Sequence, residues 1–328
     1  MKRNHAIFIA TLITALFLIF GCDDSEKPAR PKPDSEALHT FIDENIAEQS
    51  QQFTIDAEDG GQIKGDQGTV IQFFSNSFLT MDGDPVTGSV NIELIEIYNR
   101  SAMVLTQKPT VGKMDNGDLA VLVSGGEFYV NATQNGNPLK PASGYSIIAP
   151  TEKTGGADED MRIFTGVDNC IDDVCNNVWE EEKDRGMEIG QFQPDGGGVY
   201  SAYYCFQSKF GWTNIDKWYS DPRPKTTIYV DVPEGFDNTN CAVFIVYDGE
   251  PTALGRMDTY DEETGLFSEH YGLIPIGLEV HFVLVSIIED EIHYAIQGTT
   301  ITENHIEVIN DVQSITKEEL IDLIDELP

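Results

Sequence analysis

The sequence predicts a mainly β protein of two antiparallel β-sandwich domains, with a helix before the first domain and a short helix after the second. Strand-length segments alternate apolar and polar residues, as in Ser89–Ile97 (SVNIELIEI). Turns rich in Gly, Asn and Pro separate these segments, as in residues 134–138 (QNGNP). A polar segment at residues 151–160 (TEKTGGADED) divides two such series, and a chain of 328 residues is long enough for two domains.

The first residues have the layout of a secretory signal. Lys2 and Arg3 precede an apolar run at residues 6–20 (AIFIATLITALFLIF), and Gly21 precedes Cys22. The run has 15 residues, fewer than the ~20 that a membrane-spanning helix needs. The sequence therefore predicts a signal peptide over residues 1–21, with an uncleaved anchor as the alternative.

Residues 19–22 (IFGC) resemble the lipobox of bacterial lipoproteins, although Phe20 is bulkier than the residue usual at its position. The resemblance implies cleavage before Cys22, acylation of Cys22 by diacylglycerol and fatty acids such as palmitate, and anchoring in the outer membrane. Residues 22–34 (CDDSEKPARPKPD) are charged and Pro-rich, which predicts a flexible tether. The acids at 23 and 24 resemble the export signal of Bacteroidetes-type surface lipoproteins, which implies surface display; the periplasmic face is the alternative.

The composition is strongly acidic, with a formal net charge of −36. Such a surface repels nucleic-acid phosphates and anionic headgroups, so we expect no nucleic-acid partner and membrane attachment through the lipid alone. An extracellular glycan or an envelope protein is the expected further partner.

A helix is predicted over residues 35–50, within a segment 35–52 that precedes the first sandwich. Asp34 or Ser35 is suited to cap its start. Its apolar stripe has three-to-four-residue spacing and consists of Leu38, Phe41, Ile42 and Ile46.

The first sandwich is expected over residues 53–150 and the second over residues 161–328. Residues 60–63 (GGQI), 68–73 (GTVIQF) and 85–88 (PVTG) resemble the start of ZU5-like β-sandwich modules, which implies a fold but no activity. At the other end of the chain, Thr316 and Glu319 have the spacing of a capping box and predict a short C-terminal helix.

The chain has five cysteines, and setting Cys22 aside leaves an even number in an exported protein. Disulfides are therefore expected, and of the three connectivities we favour Cys170–Cys175 together with Cys205–Cys241. A zinc site is the alternative.

The sequence contains no His-Glu-x-x-His, Gly-x-Ser-x-Gly, phosphate-loop or dinucleotide-binding motif. We therefore expect no catalytic residue, no enzymatic activity and no cofactor. Asp168, Asp172 and Asp173 are weak calcium candidates that lack the spacing of a known calcium loop, and a solvated acidic loop is the simpler interpretation.

Residues 211–224 (GWTNIDKWYSDPRP) predict a polar loop that exposes Trp212 and Trp218. Aromatic faces stack on sugars, and Asn214 and Asp216 could bond sugar hydroxyls. The alternative is that the aromatic residues of this region fill the core.

The sequence thus predicts a lipid-anchored exported protein with a non-catalytic binding or scaffolding role at the bacterial cell envelope. The alternatives are a glycan-binding lipoprotein in nutrient capture, a hydrolase and a calcium-dependent adhesin.

Overall fold

The computed structural model describes residues 32–171, 174–194 and 197–328, with the backbone alone at 168–171, 174–176 and 270. The predicted signal peptide, Cys22 and most of the tether lie outside the described residues, as do the side chains of the calcium candidates Asp168, Asp172 and Asp173. None of the described helices is both long and apolar enough to cross a bilayer.

The first half of the chain is strand-rich, with two helices. It contains α1 (Ser35–Gln49), β1 (Gln51–Asp56), β2 (Gly61–Lys64), β3 (Val70–Phe73), β4 (Phe78–Thr80), β5 (Ser89–Ile97), α2 (Arg100–Leu105), β6 (Val111–Lys113), β7 (Leu119–Gln134), β8 (Asn137–Pro141) and β9 (Tyr145–Pro150). After a 3-10 turn come β10 (Arg162–Ile171), β11 (Val174–Glu181), β12 (Met187–Phe192), β13 (Tyr200–Gln207) and β14 (Gly211–Trp218).

The second half continues this pattern and ends in a helix. It contains β15 (Lys225–Asp231), β16 (Cys241–Tyr247), β17 (Leu254–Arg256), β18 (Thr259–Asp261), β19 (Leu266–Pro275), β20 (Glu279–Ile288), β21 (Glu291–Thr300), β22 (His305–Val308), β23 (Gln313–Ile315) and α3 (Lys317–Asp325).

These strands form four sheets. Sheet 1 has nine strands in the order β1-β5-β7-β14-β10-β11-β6, with β8 and β4 attached through β7. Sheet 2 has the order β12-β13-β9-β3-β2, sheet 3 the order β17-β16-β20-β21-β23 and sheet 4 the order β18-β19-β15-β22. Most pairings are antiparallel, as predicted for a sandwich.

The sheets pack as two sandwiches, which confirms the predicted fold class. Ile71 and Ile147 of sheet 2 share a core with Phe128 of sheet 1. Sheets 3 and 4 share a second core that includes Val243 and Ile228. A third core joins Ile95 and Ile97 of sheet 1 to Phe244 of sheet 3 and to Leu320 and Ile324 of α3. Sheets 1 and 3 are therefore the inner layers, and the two sandwiches bury apolar surface against each other.

The change from one sandwich to the other does not occur at the predicted linker, residues 151–160. Strands β10, β11 and β14 pair within sheet 1, and β12 and β13 pair within sheet 2. The change falls after β14, and residues 32–328 form one compact unit. The polar composition of 151–160 reflects an exposed connection between two strands of the same sandwich, because charge and glycine mark solvent exposure as readily as a domain boundary.

Five strands of sheet 1 close into a small barrel. Strand β6 pairs antiparallel with β7 and parallel with β11, which completes the ring β7-β14-β10-β11-β6. Its interior holds all three tryptophans of the chain, packed with Leu122 and Phe164. A barrel this small is filled by side chains and leaves no channel.

Both predicted helices form. Ala37 donates its backbone N–H to Asp34 Oδ1 over 3.0 Å at the start of α1, and α3 has the predicted capping box of Thr316 and Glu319. Helix α2 was not predicted, because its six residues are too few for a periodic signal. The cap that starts it, Asn99, was the one available indication.

The predicted disulfide Cys205–Cys241 is wrong. Both thiols are free and buried, Cys205 in the core of sheets 1 and 2 and Cys241 in the core of sheets 3 and 4. The sequence placed both residues on strands but carries no information on which sandwich each strand joins. Cys170 and Cys175 are register partners in the β10–β11 hairpin, as local pairing requires. Their side chains lie outside the described residues.

Candidate functional site

The four residues predicted to contact a ligand from an exposed loop lie on a strand instead. Trp212, Asn214, Asp216 and Trp218 alternate along β14. Asn214 and Asp216 are fully buried and the two tryptophans are half-buried. Their two-residue spacing is the period of a strand, and it places all four on the inward face of the barrel. The loop prediction failed because polar residues are uncommon on a buried strand face.

A polar network joins two of these residues inside the barrel. Asn214 donates from Nδ2 to Asp216 Oδ2 over 2.6 Å, and Ser124 donates its hydroxyl to Asn214 Oδ1 over 3.1 Å. Burial raises the pKa of Asp216 well above its usual range. Since Asn214 and Asp216 are fully buried, a polysaccharide cannot reach this network.

A cavity of about 180 Å³ lies where the barrel meets sheets 3 and 4. Both sandwiches supply its mostly apolar walls, which include Val111, Leu119, Val121, Trp218, Tyr219, Ile245, Tyr247, Leu273 and Ile274. Two further lining residues, Met114 and Lys225, are exposed, so the cavity reaches solvent on their side. Of the four predicted ligand residues, Trp218 alone lines it.

Glu269 is the most unusual group in this cavity. It is 7% exposed, and neither carboxyl oxygen has a hydrogen-bond partner among the described residues. Burial, followed by the nearby charge of Asp258, raises its pKa to about 8. The backbone N–H groups of residues 271–273 oppose this shift, although none forms a hydrogen bond of standard geometry with the carboxyl group.

The other acid of the cavity is engaged with a phenol. Tyr271 donates its hydroxyl to Asp258 Oδ2 over 2.8 Å. Burial and then the charge of Asp258 raise the pKa of Tyr271 far above its usual value, so it remains a donor at physiological pH.

The two cations of the lining donate hydrogen bonds to other groups, although the charge of Asp258 also acts on Arg256. Arg256 donates to Gln107 Oε1 over 2.6 Å and lies 5.6 Å from the ring centroid of Phe244. Lys225 donates to the backbone oxygen of Asp221 over 2.6 Å. Burial lowers the pKa of Arg256 to about 10, and it also lowers that of Lys225.

The described lining contains no serine, cysteine or histidine that could act as a nucleophile or an imidazole base. No group of three or more metal-ligating side chains occurs within the described part of the chain. The arrangement is chemically suited to holding a small ligand through apolar walls and a few polar groups.

Sequence reasoning missed Glu269 and Tyr271. A signal existed for Glu269, because it lies two residues after Phe267, which packs in the second core. An acidic side chain is rarely buried on the apolar face of a strand unless it is paired with another group. Asp258 immediately precedes β18, and the register of β18 with β19, in which Thr259 lies opposite Ser268, brings it towards Glu269.

No protein-family model matches the chain. No curated protein matches it either. The function must therefore be argued from the site itself.

Proposed function

We propose that the protein is an exported lipoprotein, anchored through Cys22, that binds a small ligand in the cavity between its two sandwiches without catalysing a reaction. The observation that carries the binding role is the cavity itself, of about 180 Å³, whose mostly apolar walls come from both sandwiches. Concave apolar sites with a few polar groups are the usual form of small-ligand sites.

The size of the cavity limits the ligand. An apolar cavity of about 150 Å³ accommodates benzene, and this cavity of about 180 Å³ is slightly larger. A ligand with one ring and one polar group therefore matches both its volume and its walls. Because Trp218 comes from the first sandwich and Ile274 from the second, the ligand would contact both sandwiches.

The anchoring rests on the lipobox resemblance of residues 19–22 and on the composition. A net charge of −36 offers no basic surface for anionic lipids, so attachment requires the acyl chains.

A panel of one-ring compounds tests the binding role. Benzene, benzyl alcohol, benzoate and benzylamine are titrated into the purified full chain by calorimetry. We expect at least one to bind the wild type and to lose affinity for Leu273→Trp, which fills the cavity. The matched control Leu323→Trp, at an exposed position of α3, should retain affinity. If no compound binds, or if the filled variant binds equally well, the cavity is not the ligand site.

Glycan binding is a second candidate, now at a different surface. The outer face of sheet 2 carries a cluster of aromatic residues in which Phe192 lies 5.6 Å from Tyr200 and 6.4 Å from Tyr204, centroid to centroid. Phe206 and Val199 nearby are exposed. The three rings are partly buried, and the apolar surface that they leave open beside Phe206 is of the kind that marks interaction sites. On a polysaccharide array, Tyr200→Ala should abolish any wild-type signal, while Trp212→Ala, inside the barrel, should change it little. An array without a wild-type signal excludes this candidate.

A further inference from the structure

We infer that the ligand of the cavity is an uncharged one-ring compound with one hydrogen-bonding group, and that this group bonds to the hydroxyl group of Tyr247. The inference rests on the proposed binding role of the cavity and names the class of ligand. Phenols and benzylic alcohols are the simplest members of this class.

The hydroxyl group of Tyr247 is a polar group of the cavity that a ligand can reach. Tyr247 lines the cavity and is 1% exposed. Within the described part of the chain its hydroxyl has no hydrogen-bond partner. It is also not among the unpaired polar atoms that are inaccessible to water-sized molecules, whereas both carboxyl oxygens of Glu269 are. A small molecule in the cavity can therefore bond to Tyr247 but not to the carboxyl group.

The fold holds this hydroxyl in place and keeps it protonated. Tyr247 ends β16, which lies between β17 and β20 in sheet 3. Its ring packs edge to face on that of Tyr219, with centroids 4.9 Å apart. Tyr219 donates its own hydroxyl to Asp221 Oδ2 over 3.2 Å. Burial, and then the charge of Glu269, raises the pKa of Tyr247 well above its usual range, so its hydroxyl can both donate and accept a hydrogen bond at neutral pH.

The charged groups of the described lining are engaged elsewhere. Arg256 and Lys225 direct their hydrogen bonds to other protein groups, and Asp258 accepts the hydrogen bond of Tyr271. The carboxyl oxygens of Glu269 are inaccessible. Moving an ionised group from water into mostly apolar walls costs far more than moving a hydroxyl group, unless an opposite charge meets it. The cavity therefore favours an uncharged ligand over an ammonium ion or a carboxylate.

Calorimetry with four one-ring probes tests the inference. Benzyl alcohol and ethylbenzene have nearly the same shape, but only the alcohol can form a hydrogen bond. Benzylamine and benzoate carry opposite charges at neutral pH. We expect the wild-type full chain to bind benzyl alcohol at least about tenfold more tightly than either charged probe. A charged probe that binds as tightly as benzyl alcohol would overturn the assignment of an uncharged ligand.

Tyr247→Phe isolates the hydroxyl group. The variant keeps the ring, so it should lower benzyl alcohol affinity by about three- to tenfold and leave ethylbenzene affinity nearly unchanged. Because the hydroxyl has no partner among the described residues, the variant should melt no lower than the wild type. A clear loss of stability would show that the protein itself pairs this hydroxyl, against the inference. Tyr229→Phe, at a half-buried position of β15 outside the described lining, is the matched control and should change neither affinity.

The outcomes separate the ligand class from the binding role. If Tyr247→Phe lowers the affinities for benzyl alcohol and ethylbenzene equally, or lowers neither, the hydrogen bond to Tyr247 is wrong while the cavity remains a binding site. If none of the four probes nor benzene binds the wild type, the binding role itself is lost.

Discussion

Glu127 and Asn214 are register partners on β7 and β14, and both side chains are fully buried on the inner side of the barrel. Asn214 bonds to Ser124 and Asp216, but neither carboxyl oxygen of Glu127 has a hydrogen-bond partner among the described residues. Burial, then the nearby Asp216, raises the pKa of Glu127 well above its usual range. The core of the barrel therefore holds an acid that favours its uncharged form.

Glu127 makes stability depend on pH. Because its pKa is higher in the folded state, the folded protein binds this proton more tightly than the unfolded chain. Its contribution is complete below about pH 4.3, the pKa in an unfolded chain, and is lost as pH rises towards the folded pKa. We expect Glu127→Gln to be more stable than the wild type near pH 8, by about 1–3 kcal/mol, and similar to it near pH 4.

Urea unfolding at both pH values measures this difference. Glu188→Gln, which changes an exposed acid of β12, is the matched control and should follow the wild type at each pH. A Glu127→Gln variant that loses stability equally at both pH values would show that the carboxyl group is charged and paired in the folded protein.

The tryptophan-filled barrel predicts a steric cost at Gly112. A Cβ atom there would lie 2.8 Å from the ring of Trp218 and 3.0 Å from Leu122. Gly112→Ala should therefore destabilise the protein by about 1–3 kcal/mol, as overpacking of a filled core does. Gly186→Ala is the control, because nothing lies within 4 Å of its added Cβ. Equal midpoints for the two variants in urea would contradict the packing of Trp218 against β6.

Local patterns predicted much of the fold. The alternation in Ser89–Ile97, the cap at Asp34 and the capping box of Thr316 each report a neighbourhood of a few residues, and each is present in the structure. Closure of the barrel depends on β6 pairing with β11 across a long separation in the chain. Pairing at that distance leaves no periodic signal, so closure of the barrel was not predicted. Strand β14 was predicted to be a loop because its buried face carries the polar residues Asn214 and Asp216.

The candidate site, too, was predicted from the sequence only in part. Trp218 was singled out from its aromatic and polar neighbours, and it does line the cavity. Asp258 immediately precedes β18, so the pairing of β18 with β19 brings it towards Glu269. The charge of Asp258 then raises the pKa of Glu269, an effect that composition alone does not report.

The free thiols of Cys205 and Cys241 predict a specific labelling result. Both are buried, and burial raises the pKa of each well above its usual range, which leaves little reactive thiolate. We expect an alkylating reagent to modify neither in the native protein and both after unfolding without reductant.

The same experiment tests the remaining predicted disulfide. The register of Cys170 and Cys175 brings their backbones together, so mass spectrometry of the unreduced protein should find them linked and unmodified. Linkage between Cys205 and Cys241 would contradict their placement in separate cores.

Cys22→Ser tests the anchor, on which the cellular role depends. The lipobox resemblance makes the thiol of Cys22 the attachment point for diacylglycerol, and serine lacks the thiol. We expect the wild type to be labelled by palmitate and to be found in the membrane fraction. The Cys22→Ser variant should carry no palmitate label and should leave the membrane fraction. Ser25→Ala, in the same tether, should keep both label and membrane attachment. If Cys22→Ser stays in the membrane fraction after an alkaline carbonate wash, the apolar run at residues 6–20 is an uncleaved anchor instead.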